Sequence, residues 1–136
     1  MPAFSGLGVI YLDDDPYYNT LFKVMLKHLG YIVTPFENAD RALQALRADP
    51  ARWDTVISDF YLPRTTGLRF LSVVKAEHPH VHCAVISGAF NPQLVIEANA
   101  HGIPTAMAKP TNLPEFTHLV QTMILTSKAQ PPAPAS

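Results

Sequence analysis

Three consecutive aspartates, Asp13, Asp14 and Asp15, follow the apolar run GVIYL at residues 8–12. Further along, Asp59 closes the run TVIS, Ser87 closes CAVI, and Lys109 follows TAMA and precedes Pro110. Carboxylates brought close together repel one another and cannot all stay ionised without compensation. A divalent hard cation supplies that compensation. Mg²⁺ is the natural choice, because it accepts one or two carboxylates and keeps several waters. An ammonium and a hydroxyl beside such a centre suit a phosphoryl group, whose oxygens carry the charge that must be neutralised. On this reading Asp13 and Asp14 are the acidic pair of a metal site. Asp15 has a different task. It precedes Pro16, and Asp at an N-cap followed by Pro at the first helical position is a helix start.

These residues act together only if the fold collects them. Short apolar runs at 8–12, 31–36, 55–60, 81–87 and 105–108 read as strands. Between them lie stripes of helical period: Leu21, Phe22, Met25, Leu26 and Leu29; Ala39, Ala42, Leu43 and Leu46; Leu68, Leu71 and Val74; Leu94, Val95 and Ala98. Phe116, Leu119, Val120, Met123 and Ile124 form the last stripe. Pro35 suggests that the second strand ends early or lies at an edge. Five strands alternating with five helices predict a parallel sheet covered on both faces, an α/β doubly wound fold. The flavodoxin-like order 2-1-3-4-5 is the common solution at this size. In that order the ends of strands one, three, four and five are neighbours, and Asp13, Asp14, Asp59, Ser87 and Lys109 converge on one crevice.

The chain of 136 residues suits one domain, expected over residues 1–127, with a disordered Pro/Ala-rich tail at 128–136. A net charge of -1 gives no electrostatic footprint for nucleic acid or an anionic membrane. The N-terminus lacks the basic region of a signal peptide. Cys83 is the only cysteine and reads as a small buried hydrophobe, in keeping with a reducing compartment. His78, His80 and His82 alternate as strand residues on one face would, which opens a second metal reading. Against it, that stretch spans a helix end, a proline and a strand start.

Four segments resemble the receiver domains of two-component response regulators: VIYLDDDP (9–16), DTVISDFYLPRTTGLRFL (54–71), AVISGA (84–89) and AMAKPTN (106–112). They stand in that family's order and spacing, and the likeness spans residues 8–127. It implies that Asp59, followed by Leu62, Pro63 and Gly67, is the phosphoacceptor. It also implies that Asp14 binds Mg²⁺ directly and Asp13 through a water, with Asp59 and the Tyr61 carbonyl completing the protein ligands. Ser87 would hydrogen-bond the phosphoryl group and Lys109 would pair with it, and the Lys109–Pro110 bond would be cis. The donor would be a histidine kinase or a histidine phosphotransfer protein, and an unknown downstream protein would read the result. The expected molecule is a cytoplasmic single-domain regulator, or one receiver of a longer chain with the Pro-rich tail as linker, binding neither nucleic acid nor membrane. It would be no enzyme beyond weak self-catalysed phosphorylation and dephosphorylation.

Two rival readings stay open. A phosphohydrolase of the haloacid dehalogenase type also uses an aspartate nucleophile, but wants a second aspartate two positions on, where this chain has Tyr61. A receiver-like interaction module would work without phosphorylation. One departure from the family bears on signalling. Receivers usually carry Tyr or Phe three residues before the lysine, and here that position is Ala106. The favoured expectation is a switch in the loop 87–92, with Phe90 as its moving ring; the alternative is a phosphate shuttle that needs little conformational change.

Overall fold

The computed structural model describes residues 8–129. In chain order the elements are β1 (Gly8–Leu12), α1 (Pro16–His28), β2 (Ile32–Phe36), α2 (Ala39–Ala48), a 3₁₀ turn (Pro50–Arg52), β3 (Trp53–Asp59), β4 (Tyr61–Leu62), β5 (Thr65–Thr66), α3 (Gly67–Glu77), β6 (His82–Ser87), α4 (Pro92–Ala100), β7 (Thr105–Ala108) and α5 (Leu113–Ala129). The main sheet has the order β2-β1-β3-β6-β7, and all its pairs are parallel. This is the expected 2-1-3-4-5 order once the two-residue strands β4 and β5 are set aside. They form a separate antiparallel ribbon. Strands so short carry no periodicity, so no sequence pattern announces the ribbon.

Local chemistry starts each helix. Asp15 caps α1 by accepting from the Tyr17 N–H at 2.9 Å, and Pro16 follows it. Asn38, Thr66 and Asn91 cap α2, α3 and α4 in the same way. At α5 Asn112 accepts from the Glu115 N–H at 3.0 Å, while Glu115 accepts in return from the Thr111 N–H at 3.1 Å. Gly30, at φ 97°, takes the left-handed conformation that ends α1 and lets Tyr31 N–H reach the Leu26 carbonyl. Pro35 does lie in an edge strand, within β2.

Strand alternation divides the core into two layers. Ile10 and Leu12 face α2, α3 and α4, packing among Leu46, Leu71, Val74 and Leu94. Val9 and Tyr11 face α1 and α5, packing among Phe22, Leu26, Phe116 and Leu119. Burying each large apolar side chain contributes about 1.5–3 kcal/mol before the entropy of ordering is subtracted. The sheet is thereby packed on both faces. Helix α5 continues to Ala129, two residues into the stretch read as a tail. Residues 1–7 and 130–136, the rest of that stretch included, lie outside the described residues.

Candidate functional site

Asp13 stands one residue beyond β1 and is fully buried. Its backbone is fixed twice: its N–H donates to the Phe36 carbonyl at 3.2 Å, and its carbonyl accepts from Asn19 Nδ2 at 3.0 Å. Its carboxylate accepts the Asp15 N–H on Oδ1 at 2.9 Å and the Tyr11 hydroxyl on Oδ2 at 2.5 Å. Asp14 is exposed beside it. Asp59, the last residue of β3, keeps 8% of its surface exposed. Asp13, Asp14 and Asp59 each present an oxygen within 4.8 Å of the others. Among the described residues this is the one cluster of three or more such side chains arranged to hold a metal ion.

Lys109 arrives from the end of β7. Its N–H donates to the Ser87 carbonyl at 3.0 Å, which ties it to the end of β6. Its ammonium lies 2.6 Å from Asp13 Oδ2 and 3.5 Å from Asp59 Oδ2, with the Tyr18 ring covering it at 3.9 Å. Ser87 is buried, and its hydroxyl oxygen accepts the Ala89 N–H at 3.1 Å.

The charges do not balance. Burial pushes the Asp59 carboxyl up to about 6; Lys109 draws it down, and the Asp13 charge pushes it up again. Burial alone would lower the Lys109 ammonium, but its hydrogen bond to Asp13 and the charges of Asp59 and Asp13 hold it above its ordinary value. One ammonium thus faces two carboxylates, with a third, Asp14, beside them. The surplus is negative, the donors are hard oxygens, and a divalent cation fits both facts.

The response regulator receiver domain family matches the chain over residues 9–121. The chain is a receiver domain of that family. A two-component response regulator of Arabidopsis thaliana, ARR12, is 29% identical over 119 residues, covering 88% of this chain and 20% of the relative. The receiver thus spans about a fifth of the length of that curated relative. In fold it is similar to a response regulator receiver domain protein of Clostridium thermocellum, with a TM-score of 0.78 at 20% identity, covering 90% of this chain and 97% of the other. It is also similar to a response regulator of Burkholderia pseudomallei solved with a phosphorylated aspartic acid, calcium ion and citrate. There the TM-score is 0.74 at 22% identity, and the match covers 90% of this chain and 71% of that one.

The receiver brings together Asp13, Asp14, Asp59 and Lys109, with Ser87 at the adjoining strand end. Tyr61 opens the ribbon after Asp59, 63% exposed, with its ring edge-on to Phe60. Phe90 is 39% exposed in the loop after β6, and Ala106 lies in β7 opposite Val85, half-buried against the α2–α4 core layer. One expectation fails. No described peptide bond is cis, so Lys109–Pro110 is trans. Trans is the favoured isomer even before proline, and with this bond trans the Lys109 ammonium reaches both Asp13 and Asp59. The three histidines do not converge either: His78 and His80 rings stand 6.2 Å apart edge-on, and His80 turns to the Pro50 carbonyl. Cys83 is buried as expected, and burial pushes its thiol up to about 12, which leaves it unreactive.

Sequence reasoning missed Tyr11, Tyr18 and Asn19. Tyr11 had a signal, because residues two apart on a strand share a face and Tyr11 stands two before Asp13. For Tyr18 and Asn19, lying in the first turn of an ordinary amphipathic helix, nothing in the sequence marks a contact with Lys109 or with the Asp13 carbonyl.

Proposed function

We propose that this receiver accepts a phosphoryl group on Asp59 from a phosphohistidine of a histidine kinase or a histidine phosphotransfer protein. The observation that carries the reading is the position of Asp59: at the sheet edge, 3.5 Å from the Lys109 ammonium and within 4.8 Å of Asp13 and Asp14 oxygens. An Asp59 oxygen attacks phosphorus, the O–P bond forms, the P–N bond to the donor histidine breaks, and its electron pair returns to the imidazole. Lys109 stands ready to neutralise charge on the transferred group, and Ser87 offers it a hydroxyl donor. Asp14, Asp59 and the Tyr61 carbonyl would hold Mg²⁺, with Asp13 acting through a water. Mg²⁺ when bound supplies charge neutralisation for the incoming phosphoryl oxygens. The aspartyl phosphate and calcium ion of the Burkholderia pseudomallei protein support the same chemistry on the same fold.

The domain is no enzyme in this reading, beyond weak self-catalysed gain and loss of its own phosphate. The hydrolase reading lacks its acid, because position 61 is tyrosine. No helix among the described residues is long and apolar enough to cross a membrane. The reading places the domain in the cytoplasm, where it would meet its kinase, and leaves a downstream protein to bind the phosphorylated face. Incubation with Mg²⁺ and acetyl phosphate, read by intact mass and peptide mapping, tests it. A single acid-stable, base-labile phosphate on Asp59 is expected. Multiple turnover without a retained phosphate would favour the hydrolase, and no reaction would favour the phosphorylation-independent module.

A further inference from the structure

Tyr11 lies fully buried near the end of β1. The core accounts for its ring, which stacks on Phe22 at 3.8 Å with an interplanar angle of 9°, while Phe22 meets Phe116 edge-on at 4.8 Å. The core does not account for its hydroxyl, because phenylalanine would fill the same space without a polar group to satisfy. The hydroxyl donates to Asp13 Oδ2 at 2.5 Å. That same oxygen faces Lys109 Nζ at 2.6 Å, while Oδ1 accepts the Asp15 N–H at 2.9 Å. A carboxylate offers about four lone-pair sites, two to each oxygen. Both sites on Oδ2 are therefore taken, and one on Oδ1 remains.

We propose that the Tyr11 hydroxyl is an internal competitor for the metal ion: it withholds Asp13 Oδ2, so that Asp13 meets a divalent cation, or a water on it, through Oδ1 alone. Tyr11 is a positioning residue that acts through Asp13, and the inference rests on the metal-dependent phosphoacceptor reading above. Its physical basis is charge sharing. A carboxylate oxygen that accepts a short hydrogen bond and an ammonium has less electron density to offer a cation than a free one. Ligation is thereby shifted towards Asp14 and Asp59. The stacked Phe22 fixes the direction of the phenol, so the hydroxyl cannot swing away without opening the layer between β1 and α1.

The test is calorimetric titration of the whole chain with MgCl₂. Tyr11→Phe is expected to bind Mg²⁺ about three- to tenfold tighter than wild type, the size of one ordinary net hydrogen bond. The gain should vanish when Asp13→Asn is already present, because the hydroxyl then has no carboxylate to occupy. A purely structural role would lower the melting temperature in EDTA and leave Mg²⁺ affinity untouched. Unchanged or weaker Mg²⁺ binding by a folded Tyr11→Phe protein overturns the inference, as does a gain that persists beside Asp13→Asn. A measurement on wild type stands apart from any folding defect. The Tyr11 hydroxyl proton should appear downfield and slowly exchanging in proton NMR, both without Mg²⁺ and at saturation. Its loss on Mg²⁺ addition, or its absence throughout, also overturns the inference. Wild type that binds no Mg²⁺ would remove the metal-dependent reading and this inference together, whereas normal wild-type binding with an unchanged variant removes this inference alone.

Discussion

The two halves of the crevice are built differently. On the β1–β3 side the two buried aspartates are anchored: Asp13 accepts three donors, Asn19 holds its carbonyl, and Gly67 presses against the Asp59 backbone. On the β6–β7 side Ser87 is buried, but residues 88–93 that follow it are exposed. The two glycines show the contrast most directly. A Cβ on Gly67 would stand 2.3 Å from the Asp59 carbonyl oxygen, whereas a Cβ on Gly88 would meet nothing within 4 Å. The lesson is a division of labour. The packed half fixes where charge sits before any ligand arrives. The open half has room to move, and any change on phosphorylation should be found there.

The largest effect should come from the packed half. Asp59→Asn is expected to abolish phosphate uptake from acetyl phosphate while the domain stays folded, because the amide is a poor nucleophile and carries no charge into a crowded site. Full uptake by this variant, read by intact mass, would place the phosphoacceptor elsewhere.

The glycine pair comes next. Gly67→Ala should destabilise the domain by about 1–3 kcal/mol or more, since backbone at 2.3 Å cannot yield as a flexible side chain would. Gly88→Ala should stay within about 0.5 kcal/mol of wild type. Denaturant melts of both variants measure this directly. Equal losses would erase the distinction between the halves.

A smaller effect concerns pH. Asp59 is held up to about 6, chiefly by burial, against about 3.9 in an unfolded chain. Between these values the folded state binds more protons than the unfolded state, so stability falls as pH rises from about 4 to about 6. The metal-free domain should therefore melt higher near pH 5 than near pH 7.5, and Mg²⁺ should narrow the gap. Asp59→Asn should flatten most of it. A wild-type profile that rises through this window would contradict the charge imbalance assigned to the site.

The smallest signal tests the open half. Beryllofluoride with Mg²⁺ should shift backbone amide resonances over residues 87–92, Phe90 included, with little change at Ala106–Ala108. Ala106 has no ring to turn inward, so any rearrangement is expected in the loop. Shifts confined to the ligating residues would mean that phosphate binds here without a switch.

The sequence by itself determined the α/β class, the strand order and which aspartates and lysine end the strands at the crevice. Strand and helix periods are local, caps such as Asp15 and Asn38 are local, and right-handed crossovers leave few ways to arrange five strands. Asp13, Asp59 and Lys109 could therefore be placed at strand ends from the apolar runs that precede them. Tertiary structure alone decided how they share charge. The pairing of Lys109 with Asp13 at 2.6 Å, closer than with Asp59 at 3.5 Å, depends on side chains from β1, β3 and the end of β7 meeting. The Tyr18 ring over the lysine depends on how α1 packs, and the tie of the Lys109 N–H to the Ser87 carbonyl on how β7 pairs with β6. These contacts join residues far apart in the chain, and their energies depend on burial and distance. Neither is written in residue type or spacing, so no local pattern could have announced them.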